Sequence, residues 1–158
     1  MTEANSAART QTSTVIKARR DALERAFTDP AALAVWLSPG EMTGKVHAFD
    51  ARVGGGYRMS LFYPASKPVY RGKTSEREDR FTARFVELTP PTRIVHAISF
   101  DSGDPAFSGE MTMVVTFEER DGGTEVTIVC EHIPSGLRPE DNEVGCRSSL
   151  EKLARYIE

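Results

Sequence analysis

The chain has 158 residues, of which 39% are hydrophobic and 27% are charged, and its net charge at pH 7 is −3. This length suits a domain that buries a core without disulfides or metals. The slight negative charge gives no attraction to polyanions, so nucleic acid is not a predicted partner. No apolar run reaches the roughly 20 residues needed to span a bilayer. The opening residues also lack the apolar core of a secretory signal. We therefore expect a cytoplasmic protein with no membrane insertion.

The chain begins with a polar stretch and then two short helices. We expect residues 1–12 to be a disordered lead-in and residues 13–158 to be a single domain that opens with a strand at 13–18. Apolar residues at helical spacing then predict one short helix. Pro30 suits the first turn of a second short helix, whose apolar edge includes Trp36.

Most of the chain between residues 45 and 133 alternates apolar and polar side chains, which predicts about six antiparallel strands with one buried face. Asp121-Gly122-Gly123 is a strong hairpin signal before the last of these strands. The segment 67–80 is the most polar stretch and is predicted to be a solvated loop. The alternation assigns these residues to the inner face: Tyr57, Met59, Leu61, Phe85, His96, Ile98, Phe100, Met111, Met113, Val115, Ile128, Cys130 and His132.

The closing segment is an amphipathic helix predicted over residues 139–157. Cys146, Leu150 and Leu153 fall on one side of it, and charged residues face away. A sheet with one apolar face needs a cover, and this helix is the obvious candidate. The predicted fold is α+β, with a curved antiparallel sheet of about six to seven strands around the long helix.

Five short motifs occur in a characteristic order along the chain. They are Thr28-Asp29-Pro30 followed by Trp36, Gly55-Gly56-Tyr57, Pro90-Pro91-Thr92-Arg93-Ile94, Gly122-Gly123-Thr124 before His132, and Gly145-Cys146 before Leu150, Leu153, Tyr156 and Ile157. With these motifs, from about residue 13 to 158, the chain resembles the family similar to the C-terminal domain of the activator of Hsp90 ATPase. The resemblance implies the helix-grip fold of the START and Bet v 1-like (SRPBCC) superfamily.

The resemblance also bears on the interior and on partners. The family usually has Trp where this chain has Cys146, which implies either a larger pocket or another side chain that fills the space. The chain has no counterpart of the true activator's separate N-terminal domain, so a chaperone partner is less expected. An open strand edge leaves both a monomer and a homodimer open.

The function favoured by the inner face is the binding of an apolar small molecule between the sheet and the closing helix. Aromatic and Met side chains beside a few polar groups suit a lipid-like or aromatic polyketide-like ligand. The predicted ligand-binding residues are Trp36, Tyr57, Met59, Leu61, Phe85, His96, Ile98, Phe100, Met111, Met113, His132, Cys146 and Leu150.

Three other interpretations stay open. The inner face can simply be a packed core. His96 or His132 can act as acid or base in a cyclase-like or aromatase-like enzyme, although no carboxylate is predicted on their face to orient either ring. The protein can also serve in a stress-related interaction similar to that of an Hsp90 ATPase activator.

No catalytic residue, metal site or cofactor is predicted. His47, His96 and His132 lie on separate strands, with no spacing that groups them with Cys or carboxylates. No plausible Ser/His/Asp order is present either. Cys130 and Cys146 form no CxxC motif, and we expect them to be small buried side chains in a reducing compartment.

Overall fold

The computed structural model describes residues 8–64 and 78–158. Seven strands and three α-helices make up this part of the chain, with a short 3-10 turn at Pro105–Phe107. In chain order the elements are β1 (Ala8–Ile16), α1 (Arg20–Phe27), α2 (Pro30–Trp36), β2 (Thr43–Asp50), β3 (Gly56–Phe62), β4 (Glu78–Thr89), β5 (Arg93–Phe100), β6 (Met111–Arg120), β7 (Gly123–Ile133) and α3 (Pro139–Ile157).

The strands form one antiparallel sheet in the order β1-β7-β6-β5-β4-β3-β2. Strands β2 to β7 each pair with their neighbours in the chain, whereas β1 crosses to the far edge and pairs with β7. Burial alternates along β4, β6 and β7, as expected for a sheet with one covered face. The predicted α+β fold, with two short helices after the first strand and a closing helix, is confirmed.

Two predicted boundaries differ from the structure. Strand β1 begins at Ala8 rather than at residue 13, so residues 8–12 belong to the sheet and not to a disordered lead-in. Thr10 and Thr12 are buried there and pair with β7, because the β-branched Thr side chain suits a pleated surface even though it is polar. Strand β4 begins at Glu78, so residues 78–80 of the segment predicted to be a loop belong to the sheet, and residues 67–77 lie outside the described residues.

The two short helices are joined by local caps and by one indole. The Asp29 side chain accepts a hydrogen bond from the Ala31 amide and caps α2, with Pro30 in its first turn. The Trp36 indole N–H donates to the Ala26 carbonyl over 3.0 Å, which ties α2 to α1. The Phe27 ring packs edge-to-face on Trp36, with 4.6 Å between the ring centroids. These contacts hold both helices as one unit against the core.

Helix α3 is attached to the segment that follows α2. The Ser149 hydroxyl donates to the Leu37 carbonyl over 2.6 Å, and the Lys152 ammonium donates to the Ser38 carbonyl over 2.5 Å. Leu150 and Leu153 of α3 are fully buried in the core. No helix in the described part of the chain is both long enough and apolar enough to cross a membrane.

The turn before β3 provides a matched pair of glycine substitutions. Gly54 and Gly56 both have positive φ values, of 88° and 146°. A Cβ at Gly54 would meet open space, whereas at Gly56 it would overlap the Ala83 carbonyl oxygen of β4. We expect Gly54→Ala to cost about 1 kcal/mol and Gly56→Ala at least about 3 kcal/mol. Urea unfolding measures both losses, and equal losses would contradict the close approach of β3 and β4.

Candidate functional site

A cavity of about 180 Å³ lies between the inner face of the sheet, the start of α3 and the segment after α2. Most of its wall is apolar. Its aromatic and aliphatic lining comprises Phe27, Leu37, Pro39, Tyr57, Leu61, Phe81, Ile98, Phe100, Met111, Met113, Ile128 and Leu137. Its remaining lining residues are Asp79, Asp141, Asn142, Gly145, Cys146 and Ser149.

The predicted site residues divide into three groups. Those that line the cavity are Tyr57, Leu61, Ile98, Phe100, Met111, Met113 and Cys146. Those that are buried in the core without lining the cavity are Trp36, Met59, Phe85, His96 and Leu150. His132 alone is exposed. Alternation therefore identifies the inner face, but only one end of that face opens into the cavity.

Trp36 is separated from the cavity by one ring. Its side chain has no exposed surface, and its indole is hydrogen-bonded within the helix pair. Phe27, which packs on Trp36, lines the cavity instead. Trp36 is therefore a structural residue that supports the wall.

His96 sits in the core between aromatic rings. Its Nδ1 lies 3.2 Å from the Met113 carbonyl oxygen, and Nε2 has no hydrogen-bond partner. Because a carbonyl only accepts, Nδ1 carries a proton. Burial lowers the pKa of His96 to about 4, and the bond to Met113 offsets only part of this effect. His96 is therefore a core histidine away from the cavity.

His132 points outward because of a β-bulge. Thr10 of β1 pairs with Cys130 of β7, while Ala8 pairs with Ile133, so β7 contains one extra residue at this point. His132 lies in this bulge and has a φ of 59°, which turns its side chain outward. Ile133 then occupies the next inward position. The prediction that His132 lies on the inner face is wrong. With neither imidazole lining the cavity, a histidine acid or base in this cavity has no geometric support.

Asp79 is a lining residue that the sequence prediction missed. It lies in β4, two positions before Phe81, so the pleat directs both side chains to the same face. The Asp79 carboxylate is only 2% exposed and accepts a hydrogen bond from the Tyr63 hydroxyl over 2.8 Å. The spacing of two residues between Asp79 and Phe81 was the feature of the sequence that could have identified it. The charged residues around Asp79 favoured a loop instead.

Asn142 is a second missed polar residue in the wall. It lies in the first turns of α3, and its side-chain oxygen accepts a hydrogen bond from the Thr10 hydroxyl over 2.6 Å. This bond joins α3 to strand β1. No sequence spacing relates these residues, because they are brought together only when α3 packs on the sheet edge.

A hydrogen-bonded Ser, His and Glu set occurs on the opposite side of β3 from the cavity. The Ser60 hydroxyl donates to Glu78 over 2.5 Å, and His47 Nε2 lies 2.8 Å from the same hydroxyl. The bond from Ser60 lowers the pKa of Glu78, with a further contribution from Arg80. Since the hydroxyl proton is directed to Glu78, His47 donates to Ser60 rather than accepting from it. In an activated serine nucleophile the hydroxyl donates its proton to the histidine, so this direction of hydrogen bonding does not activate Ser60.

The chain matches the family described as Activator of Hsp90 ATPase homolog 1-like protein over residues 17–158. The chain belongs to this family. Among solved structures, protein CV1439 from Chromobacterium violaceum superposes with a TM-score of 0.82 at 34% identity, covering 96% of this chain and 98% of that chain. The family resemblance expected from the sequence motifs is thus confirmed.

More distant relatives of this AHSA1-like chain share its fold. An AHSA1-like protein from Aeromonas hydrophila has a TM-score of 0.69 at 20% identity, covering 95% of this chain and 92% of that chain. Protein Ms6760 from Mycobacterium smegmatis has a TM-score of 0.73 at 18% identity, covering 95% and 90%. Curated proteins provide no match. The fold is that of the SRPBCC/Bet v 1-like group.

The burial of His96 predicts a pH-dependent stability. Below pH 6.5 the unfolded chain binds a proton at this residue, whereas the folded state does not until about pH 4. Stability therefore falls as the pH is lowered through this window, by up to about 1.4 kcal/mol per pH unit. We expect His96→Leu to lose less stability than the wild type between these two pH values, as measured by urea unfolding.

The matched control for this measurement is His132→Asn. Asn tolerates the left-handed backbone of residue 132, and the His132 side chain that it replaces is exposed rather than buried. The control should keep the wild-type dependence on pH. If the stability of His96→Leu falls with pH in parallel with the wild type and His132→Asn, His96 does not cause the loss of stability at low pH.

Proposed function

We propose that the protein binds an apolar small molecule in the cavity between the sheet and α3. The observation that carries this proposal is a mainly apolar space of about 180 Å³ beside a buried carboxylate. Pockets of this composition are typical of ligand sites, in which a few polar groups orient an apolar ligand. The SRPBCC fold commonly serves as a ligand-binding module, which supports the proposal by analogy.

The size of the cavity limits the ligand. A dry protein cavity of about 150 Å³ accommodates benzene, whereas drug-sized ligands occupy about 300–1,000 Å³. The cavity of about 180 Å³ thus suits a single aromatic ring or a short aliphatic group. The sequence predicts a lipid-like or aromatic polyketide-like ligand, and a long-chain or multi-ring member of either class would need the cavity to widen.

The lining also limits the chemistry of the ligand. The Met111 and Met113 thioethers give a polarisable apolar surface that favours aromatic rings. Asp79 supplies carboxylate oxygens at the wall, and these accept hydrogen bonds. A monocyclic aromatic compound with one donor group, such as a phenol, satisfies both features.

Binding can be tested by isothermal titration calorimetry with toluene, phenol and lauric acid. We expect saturable binding of the two single-ring compounds and weaker or no binding of the fatty acid, because of the cavity volume. Cys146→Trp places an indole into the cavity wall and should abolish binding. Val144→Trp, on the same helix at a position that is 68% exposed, is the matched control and should bind as the wild type does.

The calorimetry distinguishes binding in this cavity from binding elsewhere and from a packed core. Binding that survives Cys146→Trp would place the ligand elsewhere, and no saturable binding of any probe would favour a packed core. Thermal unfolding checks that Cys146→Trp is folded. If it is not, Met111→Phe fills the cavity with a smaller increase in volume and serves in its place.

A further inference from the structure

The two cysteines face each other across the junction of sheet and helix. Cys130 lies in β7 and Cys146 in α3, and their sulfur atoms are 4.0 Å apart. Both are free thiols. Cys130 is only 1% exposed, whereas Cys146 lines the cavity. The pair thus forms part of the cavity wall, with one sulfur at the cavity and the other directly behind it.

The thiol pair has polar neighbours within an otherwise apolar wall. Asn142 Oδ1 lies 4.0 Å from the Cys146 sulfur and also accepts the hydrogen bond from Thr10. The hydrogen bond with Cys146 lowers the pKa of Cys130, and burial opposes this effect. The same thiol contact, together with burial, raises the pKa of Cys146. The two thiols therefore act as a coupled pair rather than as independent groups.

We propose that Cys130 and Cys146 form a modification site, at which a peroxide converts the two thiols into an intramolecular disulfide. One sulfur of the pair attacks a peroxide oxygen and becomes a sulfenic acid, and one water leaves for each hydrogen peroxide consumed. The other sulfur then displaces the sulfenic oxygen as a second water. Overall, two thiols and one hydrogen peroxide give one disulfide and two waters.

The geometry favours an internal bond over the alternatives. The sulfur atoms, which are 4.0 Å apart, must approach by about 2 Å to reach the disulfide length of about 2.05 Å. Each sulfur has the other as its nearest thiol, which favours condensation over further oxidation of the sulfenic acid. Hydrogen peroxide is close in size to water and can reach the pair through the cavity.

A disulfide here would tie β7 to α3 across the cavity wall. The bond would fix the position of α3 relative to the sheet at the point where the cavity opens beside Cys146. In a reducing compartment such a bond is transient and is reversed by thiols. This modification goes beyond the proposed ligand binding and does not depend on it, since it requires only the two sulfurs and the oxidant.

The test uses the full chain in its folded state. Reduced protein is treated with hydrogen peroxide, quenched, denatured and alkylated with N-ethylmaleimide, and the alkylated thiols are counted by intact mass. We expect loss of both thiols, a product of digestion with the Glu-specific protease Glu-C in which the Cys130 and Cys146 peptides are linked, and full recovery of both thiols by phosphine reduction. Oxidation of methionine does not alter the thiol count.

Two controls make the result specific. Cys130→Ser and Cys146→Ser, or the corresponding Ala variants if either fails to fold, each leave one cysteine without its partner and should yield no linked peptide within one chain. The wild type treated in urea should form the linked species more slowly than the folded protein, because unfolding separates the two sulfurs.

The proposal is overturned by any of three results. These are two alkylatable thiols that persist after treatment, sulfinic or sulfonic acid in place of the linked peptide, or disulfides only between molecules. A linked species that forms as fast in urea as in the folded state would also overturn it. None of these readouts depends on a bound ligand, so failure here and failure of the proposed binding are distinguishable.

Discussion

The apolar inner face of the antiparallel sheet must be shielded from water, and the rest of the structure is arranged around that requirement. The three helices provide the shield. Phe27 of α1 and Trp36 of α2 pack on one another, with the indole bonded across the helix pair. Leu150 and Leu153 bury one side of α3, and Ser149 secures that helix to the segment after α2. Apolar burial drives this cover, while the hydrogen bonds fix where each helix lies.

The helices leave one end of the inner face uncovered, and the cavity, its polar side chains and the two cysteines lie at that end. Cys146 is a small side chain on the part of α3 that faces the sheet, so the space beside it stays open as the cavity. Asp79 at the start of β4 and Asn142 at the start of α3 bring polar atoms to the same region. The contact between Cys130 and Cys146 lies in the wall. The cavity that we propose as a ligand site and the thiol pair therefore lie at the same gap in packing.

Much of the fold could be predicted because periodicity is a local property of the sequence. Period-two alternation identified β3 to β7, and the spacing of Leu150 and Leu153 identified α3. The exceptions have physical reasons. The bulge at His132 inserts one residue and reverses the face, which no alternation rule anticipates. Asp79 stands among charged residues, and its inward direction follows only once β4 is known to begin at Glu78.

The sequence by itself determined the order of the elements and most of the side chains that turn inward, since these depend on residues close together in the chain. Tertiary structure decided which inward side chains pack and which border open space. Tyr57 lines the cavity, whereas Met59, His96 and Phe85 on the same face are enclosed in the core. The approach of Cys130 to Cys146 was decided in the same way. These contacts depend on the distances between elements that are remote in the chain. The packing of the helices on the curved sheet sets those distances.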